Sequence, residues 1–202
     1  MDRTDVRQAW DAVADTYANR RDPTGSDADL LSTLRDELGP DPTVLDVGCG
    51  DGARTLANLP DGSIGLDISR RGLELAAEAV PEAGLLQAAM RDIPFRADIV
   101  DAITAYHAVF HVPRAAHPDV YREFARVLRP GGRLLMTLPS GRFETVREGW
   151  MGGRMLFSAP GRDATLSQLR DAGFVDVHTE TVSDPLGSAA EFAFATLAES
   201  EG

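Results

Sequence analysis

The 202-residue chain is 43% apolar, enough to form the core of one domain. Its one cysteine, Cys49, excludes a disulfide framework, and residues 1–21 lack the apolar stretch of a signal peptide or membrane anchor. We therefore expect a single cytoplasmic domain that has no membrane partner.

The formal net charge is −12, and all 20 basic residues are arginine, because the chain contains no lysine. A surface of this sign repels phosphates, so we do not expect nucleic acid as a partner. Excess acid with arginine as the only cation resembles proteins of salt-loving archaea, whose salt-rich cytoplasm screens surface charge. The composition therefore predicts a halophilic protein.

The apolar pattern predicts two helices before the first strand. The first covers Val6–Asn19 and the second Ala28–Leu38, with a break between them that contains Pro23 and Gly25. We expect both helices to pack on a sheet or to cover one of its edges.

Strands and helices alternate through the middle of the chain, beginning with the buried apolar run Thr43–Val47. Such alternation with short connections predicts a parallel sheet that is covered by helices on both faces. The later elements are predicted as helix Ala53–Leu59, strand Ser63–Ile68, helix Arg71–Val80, strands Gly84–Met90 and Ile99–Ala105, helix His117–Leu128 and strand Arg133–Leu138.

The last third of the chain has a different pattern. Ser140–Arg162 is rich in glycine and arginine and is expected to be irregular. A helix, Ala164–Ala172, is predicted to begin at the cap Asp163. The strands Phe174–Val182 and Ala190–Leu197 are joined by a short loop, so the final strand must be antiparallel to the strand before it.

A glycine-rich turn follows the first predicted strand in TVLDVGCGDG. Glycines at 48, 50 and 52 let the backbone turn sharply and lie close to a ligand. Asp67 ends the second strand about twenty residues beyond Asp46, a separation at which a carboxylate can reach ribose hydroxyls. Although glycines also end ordinary strands, the two features together predict a site for a nucleotide-bearing cofactor.

Five motifs in order resemble the class I S-adenosylmethionine-dependent methyltransferases: VLDVGCGDG, GLDIS, MRDIPF, RVLRPGGRLL and LRDAGFVDV. Within this class, the chain resembles the small single-domain enzymes that include the ubiquinone and menaquinone biosynthetic methyltransferases. The resemblance implies an α/β, Rossmann-like, doubly wound sheet of seven strands in the order 3-2-1-4-5-7-6, with the last strand antiparallel.

The resemblance also implies one domain, 1–202, in four parts. These are N-terminal cap helices (1–42), a cofactor-binding core (43–138), a substrate-facing segment (139–162), and a C-terminal helix and strand hairpin (163–202). The implied reaction transfers a methyl group from S-adenosylmethionine to a small-molecule acceptor and leaves S-adenosylhomocysteine. The oligomeric state stays open between monomer and dimer.

The same resemblance assigns roles along the cofactor. Asp46 would organise the glycine loop, and Asp67 would accept hydrogen bonds from both ribose hydroxyls. Tyr17 would cap the cofactor, while relatives often carry an acid for the adenine amino group where this chain has Ala89. The full set of implied cofactor-binding residues is Tyr17, Asp46, Gly48, Cys49, Gly50, Asp67, Ile68, Met90, Arg91, Ala105 and Tyr106, with Ile68 and Met90 on either side of the adenine ring.

Two other functions stay open. Gly48-x-Gly50-x-x-Ala53 also satisfies a permissive dinucleotide fingerprint, so an NAD(P)-dependent oxidoreductase is an alternative, although Asp46 is unusual for such a site. A non-catalytic S-adenosylmethionine-binding module is the other alternative, and Ala89 is consistent with it.

The acceptor side is expected near His107 and His111, which are candidates for a general base, for a metal pair, or for packing alone. No third ligand has a telling spacing, so we expect no metal. Arginines at 142, 147, 154 and 162 form a candidate anion-binding group. Trp150, Met151 and Phe157 form either a lid or hydrophobic packing. The predicted substrate residues are His107, His111, Arg147, Trp150 and Phe157.

Overall fold

The computed structural model describes residues 1–20, 25–183 and 189–199. Within these ranges the chain forms five α-helices and nine strands. The helices are α1 (Arg3–Arg20), α2 (Ala28–Asp36), α3 (Arg70–Ala79), α4 (His117–Val127) and α5 (Arg162–Asp171). The strands are β1 (Val44–Val47), β2 (Ile64–Asp67), β3 (Gly84–Gln87), β4 (Val100–Ala105), β5 (Leu128–Leu138), β6 (Arg142–Trp150), β7 (Gly153–Pro160), β8 (Phe174–Ser183) and β9 (Ala189–Leu197).

Seven strands form the main sheet in the order β3-β2-β1-β4-β5-β9-β8. The five strands from β3 to β5 are parallel, whereas β9 runs antiparallel to both β5 and β8. When β6 and β7 are left out of the count, this is the order 3-2-1-4-5-7-6, so the predicted fold is confirmed.

The main sheet is covered on both faces, and its central strands β1 and β4 are almost entirely buried. On one face, Phe124 of α4 and Leu169 of α5 belong to the core cluster that also contains Leu45 and Ile103. On the other face, Leu31 of α2 packs in a second cluster. The apolar face of α2 therefore lies against the sheet.

The helix predicted at Ala53–Leu59 is wrong. The structure has turns followed by a short 3₁₀ helix, Leu56–Asn58. Gly52 has a positive φ of 71°, and the Thr55 hydroxyl donates to the buried Asp46 carboxylate, so local side-chain bonding competes with a regular helix here.

The expectation of an irregular segment at Ser140–Arg162 is also wrong. Strands β6 and β7 pair antiparallel in a separate two-stranded sheet. The glycines that suggested irregularity make the turn, because Gly149, Met151 and Gly152 all have positive φ. β7 is largely buried and β6 largely exposed, so the hairpin covers the domain with one strand.

Smaller differences occur at element ends. Helix α5 begins at Arg162 with Gly161 as its N-cap, so Asp163 lies in the first turn instead of capping the helix. Strand β5 begins at Leu128, five residues before the predicted start at Arg133. The predicted loop Asp184–Gly187 and part of the break after α1 lie outside the described residues.

Among the described residues, no helix is long and apolar enough to cross a membrane. The carboxyl ends of β1, β2, β3 and β4 meet at one edge of the sheet, as parallel strands require. In open α/β sheets, ligands bind in the crevice at this edge.

Candidate functional site

The glycine loop leaves β1 with a conformation that only glycine adopts easily. Gly48 has φ 76°, and a Cβ on it would lie 2.5 Å from the Cβ of Ala108. Gly50 also has a positive φ, of 56°, but faces open space. The first glycine therefore permits close packing against the segment after β4, and the second leaves room above the loop.

Asp46 holds the base of this loop. Its carboxylate is 1% exposed and accepts hydrogen bonds from the hydroxyls of Thr104, at 2.8 Å, and Thr55. Asp46 thereby connects β1, β4 and the end of the glycine loop. It is buried beneath the cavity and does not line it.

Asp67 holds the loop from the other side. Its two carboxylate oxygens accept hydrogen bonds from the backbone N–H groups of Gly50, at 2.9 Å, and Ser69, at 2.7 Å. Burial nevertheless dominates, and it raises the pKa of the Asp67 carboxyl above its usual value. Asp67 lines the cavity. Its carboxyl group is held in place by the two backbone N–H groups, and its pKa depends on how deeply it is buried.

A cavity of about 320 Å³ lies at this edge of the sheet. Its floor consists of the residues that follow β1, β2, β3 and β4. The residues with an implied role that line it are Tyr17, Gly48, Cys49, Gly50, Asp67, Ile68, Met90, Arg91, Tyr106, His107 and His111.

One face of α1 forms a wall of the cavity. The lining residues Arg3, Val6, Trp10, Ala14 and Tyr17 recur every three or four positions, which is the spacing of one helical face. The helix is held at the N-terminus of α3 by its own acids. Asp11 accepts from the Ser69 hydroxyl at 2.8 Å, and Asp15 pairs with Arg71 at 2.6 Å.

His111 lies at the other end of the cavity among aromatic rings. The ring centroids of Trp10 and Phe157 both lie 4.9 Å from its own. Nδ1 of His111 is 2.8 Å from the carbonyl oxygen of Leu156 on β7. Burial lowers the pKa of His111 to about 4, so its imidazole is neutral near neutral pH.

His107 is held differently. Its backbone has a positive φ of 52°, and its N–H donates to the Thr137 hydroxyl at 2.8 Å. The imidazole packs edge-on to Phe192, with the ring centroids 5.9 Å apart. A positive φ at a non-glycine residue is strained, and such strain often occurs at functional sites.

Comparisons with known proteins agree with this geometry. Residues 45–136 match a family model described as a methyltransferase domain. The 27-O-demethylrifamycin SV methyltransferase of Amycolatopsis mediterranei is 32% identical over 158 residues, which are 69% of this chain and 56% of that protein. Methyltransferase GfsG of Streptomyces halstedii is 41% identical over 100 residues, which are 45% of this chain and 35% of that protein. The chain therefore spans about half or less of the length of these relatives.

Solved structures show the same fold at low sequence identity. The 1,6-didemethyltoxoflavin-N1-methyltransferase of Burkholderia thailandensis, which has S-adenosylhomocysteine bound, superposes with a TM-score of 0.71 at 18% identity, covering 98% of this chain and 87% of that one. The [4+2]-cyclase SpnF gives a TM-score of 0.72 at 17% identity, covering 96% and 95%.

Residues 45–136 are therefore similar to methyltransferase domains. Of the residues with an implied cofactor role, Asp46 and Ala105 are buried behind the lining of the cavity. Arg147, Trp150 and Phe157 were predicted to contact substrate, but they are not among the lining residues in the described structure. Trp150 and Phe157 pack on each other beside His111, with their ring centroids 5.4 Å apart.

The four candidate anion-binding arginines do not line the cavity in the part of the chain that the structure describes. The Arg147 guanidinium lies over the Phe157 ring at 4.6 Å, and Arg154 pairs with Glu148 at 3.3 Å. Arg162 pairs with Glu191 at 2.9 Å, and Arg142 lies exposed at the start of β6. Arg142 and Arg147 lie on the largely exposed strand β6, Arg154 lies near the start of β7, and Arg162 begins α5.

The part of the chain that the structure describes contains no metal-binding group of three or more histidine, cysteine, aspartate or glutamate side chains. His107 and His111 also do not lie one turn apart on an α-helix. His111 ends a short 3₁₀ helix, and His107 precedes it with its positive φ.

No local sequence pattern indicates the buried ion pair that lies beside the cavity. The Arg54 guanidinium, which is 3% exposed, donates to both oxygens of the Asp27 carboxylate, and the Tyr106 hydroxyl donates to the Asp27 carbonyl at 3.0 Å. Arg54 lines the cavity, so the pair connects the glycine loop to the start of α2. Neither residue belongs to a local motif, and only the fold brings them together.

Proposed function

We propose that the chain transfers a methyl group from S-adenosylmethionine to a small-molecule acceptor and releases S-adenosylhomocysteine. The observation that carries the proposal is the cavity at the carboxyl ends of the parallel strands, where a glycine loop faces a buried carboxylate. The relatives named above are methyltransferases, and one of them is named for a small molecule, a rifamycin. This naming supports a small-molecule acceptor.

In the proposed complex, the methionine and ribose of the cofactor lie along the loop Gly48–Gly50. Asp67 accepts the two ribose hydroxyls, because a carboxylate offers two acceptor oxygens to a vicinal diol. Ile68 and Met90 enclose the adenine, and Tyr17 covers the cofactor from α1. Ala89 also lines the cavity, so the backbone there is the proposed partner for the adenine amino group.

The proposed chemistry is an in-line displacement at the sulfonium methyl group. This methyl group is already activated, so the protein has mainly to align the acceptor and exclude water. Helix α1 and the hairpin β6–β7 are positioned to exclude water, because the α1 residues Val13 and Trp10 pack against Met155 and Phe157 of β7. His107 and His111 stay the candidate acid–base groups.

We also propose a subfamily and a cellular environment for the chain. Demethylmenaquinone methyltransferase of a Geobacillus strain is 27% identical over 177 residues, and this chain covers 72% of its length. We therefore infer kinship with the small single-domain enzymes of quinone biosynthesis. We further infer a reducing, salt-rich cytoplasm from the single buried Cys49 and the acidic, lysine-free composition.

The second candidate function is a protein that binds S-adenosylmethionine but does not transfer its methyl group. The observation that favours it is the cyclase SpnF, which shares this fold but is named for a cyclisation and not for methyl transfer. The oxidoreductase alternative loses support, because the sheet has an antiparallel β9 instead of the parallel sixth strand of dinucleotide-binding domains.

Calorimetry of the whole chain with S-adenosylmethionine, S-adenosylhomocysteine and NAD in concentrated KCl tests the proposal. We expect both sulfur compounds to bind, NAD not to bind, and Asp67→Ala to abolish binding. Asp61→Ala is the matched control, since Asp61 lies exposed in the turn before β2. Binding of NAD alone would overturn the proposal. Cofactor binding without any transfer of a labelled methyl group in an acceptor screen would favour the second candidate.

A further inference from the structure

The tautomer of His111 is fixed by the hairpin. Nδ1 lies 2.8 Å from the Leu156 carbonyl oxygen, and a carbonyl only accepts, so Nδ1 carries the hydrogen. The neutral imidazole has one hydrogen, which leaves the lone pair on Nε2. Leu156 is itself buried in β7, so the hydrogen bond that sets the tautomer is shielded from water.

The environment of this imidazole keeps it neutral. Its neighbours are the rings of Trp10 on α1, Phe157 on β7, Trp150 at the end of β6, and Phe110 on its own turn. The pKa of about 4 results from burial, partly offset by the Leu156 carbonyl. His111 lines the cavity together with Ala108, Val112 and Pro113, so the surface beside it is apolar.

We propose that Nε2 of His111 accepts the proton of a neutral hydroxyl on the acceptor, so that the substrates are apolar alcohols or phenols and the methylated atom is oxygen. This inference rests on the proposed function, and it names the substrate class and the proton acceptor of the same site. The Leu156 carbonyl acts through His111 and is a positioning group.

An oxygen lone pair of the acceptor forms a bond to the methyl carbon, the carbon–sulfur bond breaks, and its electron pair stays on sulfur as S-adenosylhomocysteine forms. The hydroxyl proton moves to Nε2 and then leaves to solvent. Once the new bond has formed, the oxygen is that of a protonated ether and is strongly acidic, so even a weakly basic imidazole accepts its proton.

The same chemistry argues against two other acceptor classes. A methylated amine is an ammonium, which is a much weaker acid than an imidazolium with a pKa of about 4, so an amine would not transfer its proton to His111. A carboxylate brings no proton and would have to lose its hydration in an apolar wall.

Nitrogen-15 NMR of histidine-labelled protein bound to S-adenosylhomocysteine provides the first test. We expect His111 to keep its Nδ1 hydrogen without titrating between about pH 8 and about pH 5. Phenol should shift the Nε2 resonance of His111, whereas anisole, which lacks the hydroxyl hydrogen, should not. Titration near the ordinary value of about 6.5, an Nε2–H tautomer, or equal shifts from both probes would overturn the inference.

The second test uses His111→Asn, which can still donate to the Leu156 carbonyl but has no acceptor at the Nε2 position. Turnover of phenol with labelled S-adenosylmethionine should fall by about 10²-fold or more. Turnover of thiophenol, which is already ionised at about pH 8, should change little, since no proton has to be removed. A purely structural role would reduce both turnovers equally and would overturn the inference.

His178→Asn is the matched control, because His178 lies exposed on β8 and stacks on Phe194 outside the cavity. Methylation of amines or carboxylates alone by the unmodified chain would overturn this inference and leave the proposed function in place. Failure to bind S-adenosylmethionine would overturn both. If the cofactor binds but no acceptor is methylated, both the proposed transfer and this inference are overturned.

Discussion

Two opposite effects act on the charge of the Asp67 carboxyl group. Its oxygens hold the Gly50 and Ser69 backbone N–H groups, which favours the charged form. Burial opposes the charged form more strongly, and the net result is a raised pKa. A carboxyl group whose folded pKa is raised destabilises the fold once it ionises, so its retention here is explained better by ligand binding than by stability.

The raised pKa of Asp67 predicts how cofactor affinity depends on pH. The ionised carboxylate is the form that accepts two ribose hydroxyls, so affinity should fall on acidification, and the fall should begin at a higher pH than an ordinary aspartate would produce. Calorimetry with S-adenosylhomocysteine from about pH 8 to about pH 4 measures it. Asp67→Asn should bind weakly with little pH dependence, and an unchanged pH profile in this variant would contradict the assignment.

At the scale of elements, the site depends on how helices are attached to the glycine loop. Helix α2 is joined to the loop by the buried Arg54–Asp27 pair, and α1 is joined to the N-terminus of α3 by Asp11 and Asp15. The first attachment is shielded from water and the second is largely exposed. Breaking the first should therefore cost far more, because a buried charge is left without its partner.

Arg54→Met should lower the free energy of unfolding by roughly 3–5 kcal/mol, because it leaves the Asp27 carboxylate buried and unpaired. The double variant Asp27→Leu with Arg54→Met should recover a large part of this loss. Urea unfolding of the apoprotein measures both. Arg70→Met is the control, since the Arg70 side chain is 78% exposed in its pair with Glu74 and should cost about 1 kcal/mol at most. Equal losses of unfolding free energy in Arg54→Met and Arg70→Met would contradict the distinction between buried and exposed ion pairs.

Pattern and periodicity predicted the main sheet because its strands are short, apolar and punctuated by glycine and proline. The hairpin was missed because β6 is largely exposed and its charged and apolar residues do not alternate strictly, and its pairing with β7 is visible only once both strands are placed. For the site, the glycine loop and Asp67 were predictable from local motifs. The Arg54–Asp27 pair and the Leu156 bond to His111 were not, because they join residues that are distant in sequence.

At the scale of the whole molecule, charge is the distinctive property. A net charge of −12 makes the compact state repel itself, and added salt screens this repulsion. Several arginines already pair with acids on the surface, but such pairs contribute little individually. Stability in dilute buffer should therefore be limited by unscreened acids.

The melting temperature should rise with KCl, most steeply up to about 1 M, where the screening length has fallen to about 3 Å. Glu78→Gln combined with Glu82→Gln removes two exposed acids, so this variant should reach the same melting temperature at lower salt. Scanning calorimetry in a KCl series, with sucrose as an uncharged comparison, measures the effect. A melting temperature that does not depend on KCl would contradict it.

The hairpin β6–β7 can change in sequence independently of the main sheet. It forms its own two-stranded sheet and contributes no strand to the sheet that carries the glycine loop and Asp67. Substitutions in the hairpin can therefore alter the wall around His111 while the nucleotide half keeps its shape. Exchange of this hairpin alone, by evolution or by grafting, could therefore change which acceptor is methylated.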